Sequence, residues 1–404
     1  MKKIGVDTVS YKEKTLEPSA EFLRAYTDPA DQGCWYIAYS GGKDSTVTAA
    51  EIMRMVMALP AEKRTRKIHI VTSQTDLDLT TDPTKQREIE RMRIAIQKYN
   101  LPFEIHEVKA DIKNHLLFQI LGLGYPLPSK NRLYCTDRMK LEPMEKFEEE
   151  HRPTMKLLGA RRVESKAREK SVEKHLSSKY FSEEVTKKGR TIRTFMPIVE
   201  FTIEDVWGYL AEKKTPWGDA EEISQIYKDA TGECGLSKRK AGKGETAEAC
   251  GARFGCVICP VVTIDKSTKE TAKKKPWFEP YVELRELIIS MYKDPRNRAG
   301  RMRNGKVLCY GEGTFTVKAR MQLFEAVMEA QRMNERIAKM YGADPQALIS
   351  AELVEAIQQQ WIDDLQERPW LEDATELGLF YEERIKGKND KWFQLTWNHL
   401  YEGA

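Results

Sequence analysis

Short apolar runs alternate with longer amphipathic stretches along the first half of the chain. Residues 35–39 are aromatic or apolar, which is typical of a short buried strand in a parallel sheet. In the following stretch, 46–58, apolar side chains recur at helical spacing. The same criteria predict three further strands, at 67–72, 103–108 and 156–159, and a charged helix at 82–99. Strands that alternate with helices predict right-handed crossovers and an α/β fold with a doubly wound parallel sheet.

The second half of the chain is less regular. A short strand is predicted at 195–199 and a helix at 202–210, where Thr202 is a plausible N-cap with Asp205 three residues later. Residues 215–310 are predicted mainly as loops. Helices are predicted near both ends of the chain, around 20–26 and at 316–340, 349–366 and 373–385.

A turn of six residues, SGGKDS at 40–45, lies between the first strand and its helix. Glycines allow the backbone to approach a bound anion, and the first free N–H groups of the helix then point at it. The helix dipole adds a partial positive charge and Lys43 a full one. Asp44 would repel phosphates unless a bound magnesium ion reversed the local charge. We therefore predict a phosphate-binding loop that is not of the Walker type. A Gly-Gly turn without a ligand is the alternative.

Polar residues also follow the second predicted strand. Because an open α/β sheet binds its ligand at the carboxyl ends of the strands, we expect these residues on the ligand side. They are Ser73, Thr75, Asp76 and Asp78.

Composition narrows the class of protein. The chain has 404 residues, of which 41% are hydrophobic and 32% charged, which is typical of a globular protein with two or three domains. No apolar run approaches 18 residues, and the basic start lacks an apolar segment behind it. We therefore predict no membrane span, no secretory signal and a cytoplasmic location.

The net charge of +4 is unevenly distributed. Residues 237–306 contain 17 Lys/Arg and 8 Asp/Glu, whereas residues 344–404 contain 13 acids and 5 bases. A basic middle region is suited to nucleic acid or nucleotide phosphates, and a solvated surface is the alternative.

Four of the seven cysteines are clustered, with the spacing C-x15-C-x5-C-x2-C, at Cys234, Cys250, Cys256 and Cys259. In a cytosolic chain, such a set indicates metal binding before disulfides. Zinc ribbons usually use two Cys-x2-Cys pairs, and here there is one, so an iron–sulfur cluster is favoured over structural zinc. Buried free thiols are the third possibility. Cys135, in a polar loop, is a further functional candidate. The six histidines show no ligand-like spacing, and we expect most of them to be structural.

Taken together, these strings resemble the DndC-type sulfurtransferases of bacterial DNA phosphorothioation, relatives of phosphoadenylyl-sulfate reductase. The matching pieces lie between about residues 35 and 320. They are SGGKDS at 40–45, LYCTDR at 133–138 with Lys140 and Pro143, GAR at 159–161 with Glu164, Ser165 and Arg168, PI at 197–198, DVW at 205–207 and CGARFGCVIC at 250–259.

The resemblance implies a PP-loop ATP pyrophosphatase fold and adenylation of an acceptor, with ATP, Mg²⁺ and a 4Fe–4S cluster as cofactors. It implies cluster ligands at Cys234, Cys250, Cys256 and Cys259. The implied catalytic residues are Lys43, Asp44, Arg161, Arg168 and Cys135. The implied nucleotide-binding residues are Ser40, Gly41, Gly42, Lys43, Asp44, Ser45, Asp76, Arg138, Lys140 and Gly159. The implied partners are DNA, a cysteine desulfurase as sulfur donor and other subunits of a DNA modification complex.

Two departures from the family leave alternatives open. The acidic stretch from Ser73 to Pro83 is longer and differently ordered, and the tail after residue 340 matches no known pattern. GECGL at 232–236 also resembles the active-cysteine motif of the reductases, so a sulfonucleotide reductase and a tRNA-directed sulfurtransferase are the alternative functions. From these features we predict a nucleotide-binding domain at 1–214, a cysteine-rich iron–sulfur region at 215–310 and a C-terminal helical region at 311–404.

Overall fold

Six strands form one mixed sheet with the order β3-β2-β1-β4-β6-β5. A computed structural model describes residues 10–162, 178–186, 189–212, 214–231, 254–262 and 264–368. The strands are β1 (Trp35–Ala38), β2 (Ile68–Gln74), β3 (Phe103–Lys109), β4 (Met155–Leu157), β5 (Phe181–Val185) and β6 (Thr191–Phe195). All neighbouring strands run parallel except β5 and β6, which are antiparallel. The predicted α/β fold with a doubly wound, mostly parallel sheet is thus confirmed.

Twelve α-helices lie in the described residues. They are α1 (Tyr11–Lys14), α2 (Leu16–Tyr26), α3 (Lys43–Met57), α4 (Asp82–Lys98), α5 (Tyr134–Thr136), α6 (Glu142–His151), α7 (Ile203–Glu212), α8 (Glu221–Thr231), α9 (Lys266–Lys274), α10 (Glu279–Lys293), α11 (Val317–Met340) and α12 (Ala351–Glu367). Single turns of 3-10 or π-helix occur at Ala61–Lys63, Ile112–Asn114, Phe118–Gly122, Asp137–Leu141, Pro276–Phe278 and Pro295–Asn297.

The contacts divide the chain into two units. Unit 1 comprises Met1–Gln74, Thr80–Lys109 and Leu141–Phe254, and unit 2 comprises Thr75–Leu79, Ala110–Lys140 and Gly255–Ala404. The sheet belongs to unit 1. The three domains expected from the sequence, with boundaries at 214/215 and 310/311, stay a prediction.

Both faces of the sheet in unit 1 are covered. Successive side chains of a strand point to opposite faces, and β1 shows this directly. Trp35 and Ile37 belong to the large core that includes Val47 and Ile52 of α3. Tyr36 lies in a second cluster, together with Phe147 of α6. The loop between β1 and α3 therefore starts from a strand that is buried on both sides.

Two expectations about elements were wrong, one element was missed, and one expectation was confirmed in detail. The strand predicted at 195–199 is displaced, since β6 ends at Phe195 and a turn follows. The hairpin partner β5 was not predicted, because its middle residues are polar. Helices α8 to α10 replace the predicted loops within 215–310. Thr202 does cap α7: its hydroxyl accepts from the Asp205 N–H at 3.2 Å and its N–H donates to the Asp205 carboxylate at 2.7 Å.

Unit 2 is helical around its own core. Tyr281, Leu284 and Ile288 of α10 are buried at helical spacing together with Leu323 of α11 and Ile357 of α12. The helices predicted at 316–340 and 349–366 are confirmed as α11 and α12, and the one at 373–385 lies outside the described residues. In the described part of the chain, no helix is both long and apolar enough to cross a membrane.

Candidate functional site

The SGGKDS loop turns directly from the carboxyl end of β1 into α3. Gly41 has φ +75°, a left-handed conformation that glycine adopts without strain. Gly42 is the N-cap of α3 in an extended conformation. A glycine cap has no side-chain oxygen that would compete with an anion for the first N–H groups of the helix. Inside the turn, the Ser45 hydroxyl lies 2.9 Å from the Gly42 carbonyl, to which it donates, and 3.1 Å from the Ser40 hydroxyl. The glycine conformations and the uncapped helix N-terminus are what the predicted phosphate-binding loop requires, and the binding itself stays a prediction.

Asp44 lies between two cations rather than facing the loop alone. One carboxylate oxygen is 2.9 Å from Lys43 Nζ and the other is 2.5 Å from Arg161 Nε. Only 19% of the Asp44 side chain, 13% of Lys43 and 6% of Arg161 are exposed. The three groups together carry one net positive charge beside the N-terminus of α3. In this arrangement Asp44 holds Lys43 and Arg161 in place, and its predicted role as a magnesium ligand stays a prediction.

Lys43 remains a cation in this partly buried position. Burial by itself lowers the pKa of Lys43, but Tyr227 and Asp44 outweigh it and the pKa is raised. The Lys43 Nζ atom lies 5.1 Å from the centre of the Tyr227 ring, a cation–π contact. Tyr227 belongs to α8, in a stretch predicted as loop, and no local pattern indicates its place beside Lys43.

Lys85 of α4 also borders the loop, and sequence analysis missed it. Its side chain is 6% exposed, and a Cβ atom added to Gly41 would lie 2.7 Å from Lys85 Cγ. Lys85 Nζ is 2.7 Å from Asp82 Oδ1 and donates to the Ser73 carbonyl at 3.3 Å. A lysine in the first turn of the helix after β2 was the available signal, because that turn lies at the carboxyl edge of the sheet.

Gly159 lets the segment after β4 approach the first turn of α3. A Cβ atom at this position would lie 2.8 Å from the Asp44 carbonyl oxygen, 2.9 Å from its carbonyl carbon and 3.0 Å from Thr48 Oγ1. The contact is with backbone, so it cannot be relieved by turning a side chain. Gly159 therefore fixes the distance between the loop and Arg161.

The predicted nucleotide-site residues thus fall into three groups. Ser40 to Ser45, Gly159 and Arg161 come together in unit 1. Arg168 lies outside the described residues. The remaining three belong to unit 2 and are Asp76, Arg138 and Lys140.

The structure gives one local property of each of these three residues. Asp76 has φ +55°. The Arg138 guanidinium donates to the Gln119 side chain and lies 5.5 Å from the ring centre of Tyr125. Lys140 is exposed. Their roles in nucleotide binding stay predictions.

Three cysteines of unit 2 influence one another electrostatically. Burial raises the pKa of Cys256 well above its ordinary value, and the neighbouring Cys259, Cys135 and Asp78 raise it further. Burial and then Cys259 likewise raise the pKa of Cys135. A thiolate in this group is therefore favourable only if a positive charge joins it, as a metal centre would provide. Of the predicted ligands, Cys234 and Cys250 lie outside the described residues. Cys135 is an additional candidate ligand.

The turn that carries two of these thiols is held by hydrogen bonds to its backbone. The Cys259 N–H donates to the Cys256 carbonyl at 2.9 Å, and the Val257 N–H donates to the Leu77 carbonyl at 2.9 Å. Arg285, which is 2% exposed, donates to the Cys259 carbonyl at 2.8 Å. These hydrogen bonds together hold the backbone of the turn in place.

The spacing of the thiols bears on the kind of centre they fit. Four sulfur ligands of a tetrahedral zinc lie about 3.8 Å apart when the Zn–S distance is about 2.3 Å. Among the described residues, three ligand atoms within 4.8 Å of one another occur in a histidine group, not among Cys135, Cys256 and Cys259. Because two of the four predicted ligands lie outside the described residues, the preference for an iron–sulfur cluster over zinc stays a prediction.

Comparison with known families agrees with the loop and the sheet. Residues 35–219 match the phosphoadenosine phosphosulfate reductase domain family. The chain contains a domain similar to those of the phosphoadenosine phosphosulfate reductases. Such a domain has the PP-loop type of α/β fold, and this is the fold found here. Among curated proteins, no sequence matches the chain.

Solved structures show weaker likenesses. The FMN adenylyltransferase of Candida glabrata shares 12% identity at a TM-score of 0.33, over 57% of this chain and 65% of that one. The phosphoadenylyl-sulfate reductase of Candida auris shares 17% identity at a TM-score of 0.30, over 54% of this chain and 85% of that one. The U34-tRNA thiolase of Methanococcus maripaludis, with its 4Fe–4S cluster, shares 11% identity at a TM-score of 0.32, over 69% of this chain and 81% of that one. The chain thus spans slightly less than two thirds of the adenylyltransferase. At these TM-scores the likenesses support no inference about activity.

Proposed function

We propose that the chain is an ATP-dependent sulfurtransferase of the PP-loop type that adenylates the DNA backbone for sulfur incorporation. A phosphate oxygen of the acceptor attacks the α-phosphorus of ATP, the bond to the bridging oxygen breaks, and pyrophosphate leaves. Sulfide then attacks the activated acceptor phosphorus, AMP leaves with the oxygen, and a thiol reductant supplies the two electrons that convert the donor's persulfide sulfur to sulfide. A cysteine desulfurase is the proposed sulfur source, and further subunits select the DNA site.

The observation that carries the ATP chemistry is the group of Lys43, Asp44 and Arg161 at the N-terminus of α3. Pyrophosphate needs donors and positive charge, and a buried guanidinium supplies both in a planar arrangement that suits phosphate oxygens. Because Asp44 already fixes both cations, little reorganisation is needed when a phosphate binds. No side chain has to form a covalent bond to phosphorus, so positioning and charge supply the catalysis.

The thiols of Cys135, Cys256 and Cys259, with Cys234 and Cys250 as further predicted ligands, support a 4Fe–4S cluster as the resident cofactor. In this proposal Arg285 keeps the Cys256–Cys259 turn in position. Anaerobically purified protein is expected to be brown and to contain iron and sulfide, whereas a colourless protein with stoichiometric zinc would contradict the cluster.

The DNA part of the proposal rests on the CGARFGCVIC string and on the basic region at 237–306. Some arginines of that region have other tasks: Arg303 binds the buried Asp364, and Arg298, 3% exposed, lies over the rings of Tyr292 and Phe315. The exposed cations of the described part, such as Lys273 and Arg296, with the stretch Lys238–Lys240, are the proposed phosphate contacts.

Product analysis tests the reaction type. With ATP and magnesium, the protein is expected to form AMP and pyrophosphate, and formation of ADP and phosphate alone would refute the proposal. Lys43→Met is expected to abolish pyrophosphate release. The matched control Lys63→Met, at an exposed position in a separate 3-10 turn, is expected to retain it.

Binding to duplex DNA tests the acceptor. If about six cations contact phosphates, affinity should fall roughly 10³-fold between 50 and 200 mM salt. Competition by tRNA at equal concentration distinguishes a DNA-directed enzyme from a tRNA-directed one. Preference for tRNA would refute the DNA assignment and leave the ATP chemistry intact.

The match of residues 35–219 to the reductase domain family favours a second candidate, a sulfonucleotide reductase. That activity needs a catalytic thiol that reaches the nucleotide, and Cys234 is the candidate. Thioredoxin-dependent release of sulfite from phosphoadenylyl sulfate, lost in Cys234→Ser, would establish the reductase in place of the sulfurtransferase.

A further inference from the structure

Three histidines that are far apart in the sequence converge on the face of the sheet covered by α6. His69 lies on β2, His106 on β3 and His151 at the end of α6, all in unit 1. One ring nitrogen from each lies within 4.8 Å of the other two. The Nδ1 atom of His69 is 2.8 Å from Nε2 of His106. Three imidazoles from three elements thus direct nitrogen atoms to one place.

A carboxylate completes the group. Glu104 is two residues before His106 on β3 and is paired with His69 in the parallel register. One of its oxygens lies 3.8 Å from His69 Nδ1 and the other 3.5 Å from His106 Nε2. Lys67 also binds this carboxylate. We propose that His69, His106 and His151, with Glu104 as the fourth ligand, form a binding site for one divalent transition-metal ion, with zinc as the expected occupant.

The hydrogen bonding of His151 suits a metal ligand. Its Nδ1 lies 3.2 Å from the Phe147 carbonyl, which only accepts, so Nδ1 carries the proton and the lone pair is on Nε2. Histidine ligands usually donate their other N–H to a carbonyl or carboxylate in this way. The Phe147 ring also stacks on the His151 ring with centres 4.2 Å apart, which restricts the orientation of the imidazole.

The charge state and the access also suit a cation. Burial, followed by His106 and His151, lowers the pKa of His69 to about 4, and burial lowers that of His106. Neutral imidazole is the form that binds metal. The Lys67 ammonium, together with His106, keeps the pKa of Glu104 low, so the carboxylate is ionised. Glu104 is 45% exposed and His106 21%, which leaves a path for an ion from solvent.

The His69–His106 pair requires only a small adjustment. Nitrogen ligands of tetrahedral zinc lie about 3.3 Å apart at a Zn–N distance of about 2.05 Å. The 2.8 Å separation of the His69 and His106 nitrogens would therefore widen by about 0.5 Å when the ion replaces the shared proton. Imidazole and carboxylate are donors that suit zinc, copper and nickel. A bound ion would link β2, β3 and α6 and thereby stabilise unit 1. The proposal is independent of the nucleotide site and of the cysteine cluster.

Zinc titration by calorimetry tests the site. The full chain is used after chelator treatment, in a Cys256→Ser, Cys259→Ser background that removes two competing thiols. We expect the parent to bind one equivalent of Zn²⁺ at the histidine group. The affinity should fall at least about 100-fold in His106→Gln and in His151→Gln, since loss of a ligand should exceed the 10–100-fold loss of affinity typical of outer-shell changes. At a hundredfold excess of zinc over Kd, the Tm of the parent should rise by about 5 °C or more, and that of the variants should not. His69 is left unchanged because its burial makes unfolding a risk.

A matched pair of variants tests Glu104. Glu104→Gln should weaken zinc about tenfold or more, whereas Lys67→Met, which breaks the same ion pair but removes no ligand, should leave the affinity unchanged or increase it. Circular dichroism and Tm in the presence of chelator verify that each variant is folded. Zinc binding that is equal in the parent and in His106→Gln, or absent from the parent, would refute the site. Equal weakening by Glu104→Gln and Lys67→Met would remove Glu104 from it.

Discussion

Replacement of Gly159 by alanine tests whether close backbone approach builds the nucleotide site. The added Cβ would lie 2.8 Å from the Asp44 carbonyl oxygen and 3.0 Å from Thr48 Oγ1. Carbon–oxygen contacts this short require that the first turn of α3 or the segment after β4 moves. Either movement separates Arg161 from Asp44 or turns the loop N–H groups away from the phosphates.

The expected magnitude follows from the cost of overpacking, about 1–3 kcal/mol for an inserted methyl group in a packed region. If the phosphate-bound geometry bears this cost, ATP affinity falls by about 5- to 150-fold, since about 1.4 kcal/mol corresponds to a factor of ten. If instead the protein without ATP is destabilised, its Tm falls by about 2–4 °C for each kcal/mol of this cost in a domain of this size.

The assay is ATP binding by calorimetry together with pyrophosphate release, and the matched control is Gly208→Ala. Gly208 is inside α7, where an added Cβ would meet Tyr11 only at an ordinary 3.5 Å. Alanine is favoured over glycine in a helix by about 1 kcal/mol, so the control should be slightly stabilised and fully active. Wild-type affinity and pyrophosphate release in Gly159→Ala would refute the close-approach argument.

Three further changes test the supporting structure. Asp364→Asn should lower the free energy of unfolding, measured in urea, by about 3–5 kcal/mol, because Asp364 is fully buried and its arginine partners would lose their counter-charge. The control Asp363→Asn, at a half-buried position, should change this free energy by no more than about 0.5 kcal/mol. Burial alone would raise the pKa of Asp364, but the arginine partners outweigh burial and lower this pKa in the folded protein. The stabilisation by ionised Asp364 is therefore present above the unfolded pKa of about 4 and is lost as pH falls through the lower folded pKa. The Asn variant should lack this acid-dependent component of stability. Arg285→Met should reduce retention of iron about 10- to 100-fold in chelator competition, and the exposed Arg332→Met should not. Thr202→Ala should cost about 1 kcal/mol of unfolding free energy, and an unchanged value would contradict the capping role.

Local features of the sequence were sufficient for most of the sheet and for the turn between β1 and α3. The strand before SGGKDS, the helix after it and the cap at Thr202 each depend on residues within a few positions of one another. Period and turn chemistry act over that range, so these features could be predicted without knowledge of the tertiary contacts. The strand expected at 195–199 was misplaced because the apolar run at 196–199 follows β6 as a turn, whereas β6 itself alternates polar and apolar residues.

The composition of the candidate sites was decided by contacts that the chain makes over long distances. Arg161 binds Asp44 across 117 positions, and Tyr227 reaches Lys43 only because α8 packs beside the loop. Cys135 joins Cys256 and Cys259 in the same way.

The histidine group is the clearest case. The spacing of positions 69, 106 and 151 is not that of a metal motif, and sequence analysis assigned most histidines a structural role. The parallel register of β2 and β3 brings two of these histidines to one face, and the packing of α6 on that face adds the third. Sequence patterns report which face of its own element a side chain occupies, whereas strand order, register and helix packing determine which faces meet.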